Sequence, residues 1–310
     1  MTTSTILLKA PIVFQMPIAQ RTPYAFENCI LTWEHDSLIV RPRYSNVEPE
    51  MPALKDETWL RDCLLHSPIK RVYLSPEMDS SKFNAWASLC HAAKKQVYLM
   101  VPNVADLPQT RQPLLWRVKR LADWLVACLL GVIFSPLMGL LALWVRLDSR
   151  GPILFCQWRV GYQGRLFRIC KFRSMAADAE ARHQRVMGQQ QGLHKLERDP
   201  RVTRAGYWLR KFSLDELPQL FNVLRGEMSL VGPRPWALYD AVRIEPVLQK
   251  RLRALPGMTG MWQVTARSNV SDLASVNRMD LDYLRKWTFQ SDLKLLLMTV
   301  PKVFTGFGAY

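Results

Sequence analysis

Residues 124–145 read WLVACLLGVIFSPLMGLLALWV, a run of 22 residues without a charged side chain. A helix of this length can cross the hydrocarbon core of a bilayer. Ser135-Pro136 lies near the midpoint, and a proline there removes a backbone donor and kinks or breaks the helix. Basic residues flank the run on both sides, so positive charge gives it no orientation.

Two courses of this segment agree with the residues alone. The first is a straight helix that spans the bilayer and tolerates one proline. The position of the proline, taken alone, slightly favours this straight helix. A helix that breaks at Ser135-Pro136 and leaves by the face it entered explains both the proline and the symmetric basic flanks.

The net charge of +16 is unevenly distributed along the 310 residues. Residues 1–110 contain 11 Lys and Arg against 11 Asp and Glu, whereas residues 111–310 contain 31 against 15. A basic region that also carries an apolar run favours anionic lipid head groups and phosphorylated substrates. No nucleic-acid-binding motif accompanies this charge, so nucleic acid is not a predicted partner.

The chain divides into three predicted parts: residues 1–110, 111–150 and 151–310. Residues 70–103 have the pattern strand, helix, strand, which predicts a small α/β Rossmann-like domain over 1–110. It has no GxGxxG, so no dinucleotide is predicted there. Six cysteines without a CxxC pair are interpreted as ordinary buried thiols of a reducing compartment.

Ser213-Leu214-Asp215-Glu216-Leu217-Pro218-Gln219 places two adjacent carboxylates after several basic residues. Such a pair can hold a divalent cation, and one carboxylate can attack phosphorus. The basic residues, Arg201 and Arg210 among them, can neutralise phosphate charge.

The same peptide also has a purely structural interpretation. Ser213 and Glu216 have capping-box spacing before a helix that would end at Gly226. Because Pro218 disfavours a helical conformation at the preceding residue, we expect the helix to begin later and to leave the two carboxylates exposed.

Eight peptides, taken in order, resemble the bacterial sugar transferase family of monotopic polyprenyl-phosphate phosphoglycosyl transferases over about residues 112–310. They are Lys119-Arg120-x-x-Asp123, Phe134-Ser135-Pro136, Phe155-x-Gln157-x-Arg159-x-Gly161, Lys171-Phe172-Arg173-Ser174-Met175, Asp199-Pro200-Arg201-Val202-Thr203, the Ser213–Gln219 peptide, Asn222-Val223-Leu224-x-Gly226-x-Met228-Ser229-Leu230-Val231-Gly232-Pro233-Arg234-Pro235, and Pro256-Gly257-x-Thr259-Gly260-x-Trp262-Gln263-Val264.

The resemblance implies an α+β, helix-rich, membrane-associated catalytic domain over 151–310, with a re-entrant helix in 111–150. It implies transfer of a sugar 1-phosphate from a UDP-sugar to undecaprenyl phosphate with release of UMP, at the start of exopolysaccharide, capsule or O-antigen synthesis. Both domains would then face the cytoplasm at the bacterial inner membrane, in contact with its lipids. A homo-oligomer is left open, and a catalytically inactive membrane scaffold for polysaccharide assembly is the alternative.

The resemblance also assigns roles at the site. Asp215 is expected to be the nucleophile that forms an aspartyl-phosphosugar intermediate, and Glu216 to hold Mg²⁺, with Mn²⁺ as the alternative. The predicted substrate-binding residues are basic or amide side chains: Lys171, Arg173, Arg201, Arg210, Arg234 and Gln263. Lys171 and Arg173 would share one side of a strand, although a solvated strand face explains them equally well.

Two further signals are weaker. Arg267 is a minor candidate for substrate binding. The ending Phe307-Gly308-Ala309-Tyr310 resembles family members that transfer glucose or galactose 1-phosphate, so a hexose is the expected sugar.

Overall fold

The computed structural model describes residues 26–44, 51–103, 107–179, 199–265 and 272–305. It contains both helices and sheets, with one long apolar helix. Arg267 and the ending 307–310 lie outside the described residues, as does most of the polar stretch 176–198.

The N-terminal region is built on a four-stranded sheet. Its strands follow the order β1 (Cys29–Glu34), β2 (Ser37–Pro42), β3 (Arg71–Leu74) and β4 (Gln96–Leu99). β1 is antiparallel to β2, while β2, β3 and β4 are parallel and connected by α1 (Glu57–His66) and α2 (Ser80–Ala92). The strand–helix–strand order predicted for residues 70–103 is therefore confirmed. β1 was not predicted, because it is an edge strand in which only Cys29 is buried and in which apolar and polar residues do not alternate.

A short helix, α3 (Pro108–Arg111), leads into α4 (Pro113–Asp148). Among the described residues, α4 is the one helix long and apolar enough to cross a membrane. It continues through Ser135-Pro136. Pro136 cannot donate to the carbonyl of Val132, and the Ser135 hydroxyl donates to that carbonyl instead, at 2.8 Å. The helix is therefore not interrupted where a break was expected, and the re-entrant course stays a prediction.

The apolar middle of α4 is largely exposed, and a few residues towards each end of the helix are buried. In its most apolar 18-residue window, 11% is buried. Lys119 and Asp123 are buried before this middle part, and Leu141 and Val145 are buried towards its end.

The region after α4 begins with an antiparallel hairpin of β5 (Leu154–Val160) and β6 (Leu166–Phe172). The sequence of residues 153–158 and 166–172 predicts two short strands around Gly161 and Gly164, and the hairpin confirms both. The elements that follow are α5 (Arg204–Lys211), α6 (Gln219–Leu224), β7 (Ser229–Val231), α7 (Leu238–Ala241), β8 (Gly257–Thr259), α8 (Met261–Thr265), α9 (Leu273–Arg285) and α10 (Phe289–Thr305).

One hydrophobic cluster joins the N-terminal sheet to this later region. Phe83 and Trp86 of α2 belong to the same cluster as Trp158 of β5 and Trp236. The Trp158 indole also donates to Ser88 Oγ of α2 at 3.2 Å. The two regions therefore share a core rather than merely touching at their surfaces.

Candidate active site

Asp215 and Glu216 lie in a 3-10 turn between α5 and α6. Ser213, directly before the turn, has a φ of 53°, a left-handed conformation that few residues other than glycine adopt. Its side chain makes no capping hydrogen bond, so the capping-box interpretation is wrong. Backbone strain of this kind is often found at functional sites.

Helix α6 begins at Gln219, directly after Pro218, so the delayed start expected from the proline is confirmed. Gly226 follows the helix end with a φ of 79°. The expected exposure of the carboxylates is wrong for Asp215, which is 8% exposed. The 3-10 turn folds this carboxylate inward before the helix starts.

Glu216 lies between two cations from distant parts of the sequence. Lys171 of β6 places Nζ at 2.7 Å from Glu216 Oε1, and Arg234 places Nη2 at 3.2 Å from the same oxygen. The hairpin and the Pro233-Arg234-Pro235 turn therefore converge on the carboxylate pair.

Burial dominates the electrostatics of Asp215. It raises the pKa of this carboxyl above its ordinary value, while Lys171, Arg210 and Arg234 oppose the rise and Glu216 adds to it. Burial likewise lowers the pKa of the Lys171 ammonium, against the effect of Glu216. The site thus holds a carboxylate whose charge is poorly solvated by water and depends on its cationic neighbours.

Arg201 and Arg210 are both predicted to bind substrate, and Arg210 lies near the carboxylate pair. Its Nε donates to Ser174 Oγ at 2.9 Å, and the charge of Asp215 counteracts the lowering of the Arg210 pKa by burial. Arg201 forms a two-point contact with Asp199, with Nε to Oδ1 at 2.9 Å and Nη2 to Oδ2 at 2.6 Å.

Arg173 is not brought to the carboxylate pair. β6 ends at Phe172, so the strand alternation that placed Lys171 and Arg173 on one side does not extend that far. The Arg173 guanidinium donates instead to the backbone oxygens of Ser149 at 2.6 Å and Arg150 at 2.9 Å. It holds the chain that leaves the C-terminal end of α4.

Gln263, in α8, is buried. Its Nε2 donates to the backbone oxygen of Met258 at 3.0 Å, and its Oε1 is buried without a hydrogen-bond partner. Its predicted contact with substrate stays a prediction.

Arg159 was not predicted as a site residue. It donates to the backbone oxygen of Pro235 at 3.3 Å and to Gln157 Oε1 at 2.6 Å. Burial lowers its pKa, and the charges of Arg234 and Glu216 also act on it, which places it beside the site. One sequence feature could have identified Arg159 as a site residue. Gln157 and Arg159 alternate along β5, which places two polar side chains on the same side of the strand.

The turn that carries Arg234 is fixed from behind. Arg251 donates to the Arg234 backbone oxygen at 2.5 Å, and it is paired with Asp280 at 2.6 Å in a buried ion pair. A Cβ on Gly232 would lie 2.7 Å from the Leu255 backbone oxygen, so the turn needs glycine there.

The carboxylate pair also fits a hard divalent cation. The described residues contain no group of three or more His, Cys, Asp or Glu that could hold a metal. Magnesium, however, is commonly bound by one or two carboxylates together with substrate phosphates, and Asp215 with Glu216 supplies such a pair.

The model of the family described as "Bacterial sugar transferase" matches residues 114–306. The galactosyl transferase CpsE of Streptococcus agalactiae is 41% identical over 195 residues, which cover 62% of this chain and 43% of that protein. The UDP-glucose:undecaprenyl-phosphate glucose-1-phosphate transferase of Caulobacter vibrioides is 43% identical over 200 residues, covering 62% of this chain and 72% of that protein.

A third relative extends the similarity into the N-terminal region. The undecaprenyl-phosphate glucose phosphotransferase of Komagataeibacter xylinus is 35% identical over 296 residues, covering 89% of this chain and 52% of that protein. The chain spans about half the length of this relative and of CpsE. With the family match over most of its length and the motif peptides converging on one carboxylate pair, the chain belongs to the bacterial sugar transferase family.

Proposed function

We propose that this chain transfers a sugar 1-phosphate from a UDP-sugar to undecaprenyl phosphate and releases UMP, as the first step of a surface polysaccharide. The observation that carries the proposal is the pair of buried Asp215 and half-buried Glu216, with Lys171, Arg210 and Arg234 close enough to neutralise phosphate charge. The relatives' names supply the acceptor lipid and two hexoses, glucose and galactose.

In the first step, an Asp215 carboxylate oxygen attacks the phosphorus that bears the sugar. A new O–P bond forms at Asp215 as the bond to the UMP oxygen breaks, and UMP leaves with the bonding electrons. Lys171 and Arg234 stabilise the charge that develops on the phosphate oxygens. A Mg²⁺ held by Glu216 would further neutralise the charge of the diphosphate.

In the second step, a phosphate oxygen of undecaprenyl phosphate attacks the aspartyl phosphosugar. The bond from phosphorus to Asp215 breaks, the carboxylate is restored, and the lipid leaves with the sugar 1-phosphate. Because UMP departs before the lipid reacts, the kinetics should be ping-pong. Arg159, joined to the Arg234 turn through the Pro235 carbonyl, helps to hold that turn in both steps.

Helix α4 supplies the membrane attachment, and its contacts favour a re-entrant course. Before the apolar middle, Lys119 Nζ lies 2.6 Å from Asp292 Oδ2 of α10. After it, the Ala205 amide of α5 donates to Asp148 Oδ2 at 3.2 Å. If α4 crossed the bilayer, about 30 Å of hydrocarbon would separate its two ends. The region after α4 lies in water on one side of the membrane and could not then contact both ends of the helix.

Entry and exit on one face would place both regions on the cytoplasmic side of the inner membrane. UDP-sugars are available there, and inner-membrane lipids would surround the exposed middle of α4. The N-terminal sheet, with three parallel strands and two connecting helices, is proposed as a reduced Rossmann-like domain.

The test is UMP release from purified protein in detergent, with undecaprenyl phosphate and a panel of UDP-hexoses. We expect UMP with at least one donor, loss of activity in EDTA and recovery with Mg²⁺ or Mn²⁺. Absence of UMP with every donor would contradict the proposal and favour an inactive scaffold. Full activity in EDTA would show that the proposed reaction needs no metal ion.

A further inference from the structure

Cys156 and Cys170 face each other across the β5–β6 hairpin as direct partners. Their sulfur atoms lie 3.4 Å apart. The antiparallel register, rather than any short sequence motif, brings the two thiols together. We propose that Cys156 and Cys170 are a redox-active dithiol that a peroxide converts reversibly into an intramolecular disulfide.

The backbone geometry suits such a bond. The Cys170 amide donates to Asn222 Oδ1 at 3.1 Å and so points away from β5, which makes this a non-hydrogen-bonded pair of the ladder. Residues paired in this way have Cα atoms about 4.5 Å apart, within the range of about 4.4–6.8 Å found in disulfides. Oxidation therefore needs rotation of two side chains and no separation of the strands.

The surroundings favour reaction at Cys156. The thiol hydrogen bond from Cys170 lowers the pKa of Cys156, burial opposes this, and Arg168 and Arg225 lower it further. The pKa of Cys170 is raised, because that thiol keeps its proton in the shared hydrogen bond. Both residues are half-buried rather than enclosed, so a small oxidant can reach them. The thiolate is the reactive form of cysteine.

The reaction with hydrogen peroxide balances in two steps. The Cys156 thiolate attacks one peroxide oxygen, the O–O bond breaks, and a sulfenic acid and one water result after proton uptake. The Cys170 sulfur then attacks the Cys156 sulfur, the S–O bond breaks, and the Cys170 proton leaves with the hydroxide as a second water. The two sulfurs lose two electrons, which reduce the peroxide.

The other four cysteines are poorer candidates for this chemistry. Cys128 lies in the apolar run of α4, without a second cysteine beside it on that run. Cys29 and Cys90 are buried, and burial raises both pKa values, that of Cys90 to about 12. Cys63 is exposed and is the natural competitor. Lys171, the partner of Glu216, directly follows Cys170, so the modification would lie one residue from the candidate site.

The experiment uses the full chain in detergent, exposed to increasing hydrogen peroxide, quenched with N-ethylmaleimide and digested without reductant. Mass spectrometry should find a peptide pair joined through Cys156 and Cys170 before oxidised Cys63 is detected. Dithiothreitol should restore both thiols. Oxidation confined to Cys63, with Cys156 and Cys170 both alkylated, would overturn the proposal.

Two variants separate the roles of the sulfurs. Cys170→Ser should leave a sulfenic acid at Cys156 that dimedone traps, whereas Cys63→Ser should form the disulfide as the wild type does. A dimedone adduct at Cys156 that persists in the wild type, without conversion to the disulfide, would also overturn the proposal. The wild-type measurement stands even if Cys170→Ser folds poorly.

Discussion

Asp215 is the residue on which the proposed chemistry depends most directly. Asp215→Asn keeps the size and most of the polarity of the side chain but removes the nucleophilic charge. We expect UMP release to fall by on the order of 10⁴-fold or more. Isotope-labelled sugar phosphate should also bind covalently to the wild type, without acceptor lipid, and not to the variant.

Asp282→Asn is the matched control, because its carboxylate is 63% exposed and pairs with Arg285 on the surface of α9. Activity in this variant should stay within a factor of about two of wild type. Turnover by Asp215→Asn close to that of Asp282→Asn would remove Asp215 from the mechanism.

The raised pKa of Asp215 predicts an unusual acid limb in the pH profile. The nucleophile acts as the carboxylate, so activity is lost as pH falls through the raised pKa. Lys171 opposes the rise, and Lys171→Met should therefore move the acid limb to higher pH as well as slow turnover. The exposed Arg204 of α5 gives the control Arg204→Gln, whose acid limb should match wild type. An unchanged or lower acid limb in Lys171→Met would contradict this account.

At the scale of single elements, Pro136 governs the predicted course of α4. Pro136→Ala restores an amide that can donate to Val132, where the Ser135 hydroxyl now substitutes. A proline within a helix costs about 3 kcal/mol. Placing a charged residue at the bilayer centre costs about 2.5–3.5 kcal/mol on insertion scales. Because these values are similar, we expect a mixed topology rather than a complete switch.

Thiol labelling in intact cells measures this topology. One single-cysteine protein keeps the exposed Cys63 of the N-terminal region, and a second carries Arg204→Cys in the later region. Both should resist an impermeant reagent until lysis, and Pro136→Ala should make a fraction of one of them reactive. Gly139→Ala, where an added Cβ meets nothing within 4 Å, is the control. Labelling of Cys63 in intact cells with Pro136 present would show a spanning helix.

The elements that sequence predicted best are those whose pattern is local. The apolar run of α4, the hairpin strands and the delayed start of α6 at Gln219 follow from composition, alternation and proline chemistry. The sequence did not predict that Asp215 is buried or that Arg173 lies away from the carboxylate pair. Both features depend on the residue at which a short element ends. Cys156 and Cys170 are close because of the register of the β5–β6 hairpin, and the residues around either cysteine do not by themselves determine that register.

At the scale of the whole molecule, the shared core couples the N-terminal region to the candidate site. Trp158 precedes Arg159 on β5, and Trp236 follows the Arg234 turn, so both site segments rest on a core that α2 completes. Support for the site therefore extends to side chains of α2 that touch neither carboxylate.

Trp86→Ala tests this coupling, because Trp86 of α2 is fully buried in the shared cluster. Loss of a buried tryptophan costs about 3–5 kcal/mol, so the variant should unfold at a lower temperature. Because the core is continuous, the decrease should appear as a single transition, and the temperature at which UMP release is lost should fall with it. Trp59→Ala removes a tryptophan that is 50% exposed on α1 and should leave both temperatures nearly unchanged. Two separate transitions in Trp86→Ala, with heat inactivation as in wild type, would show that the two regions fold independently and that the N-terminal region does not support the site.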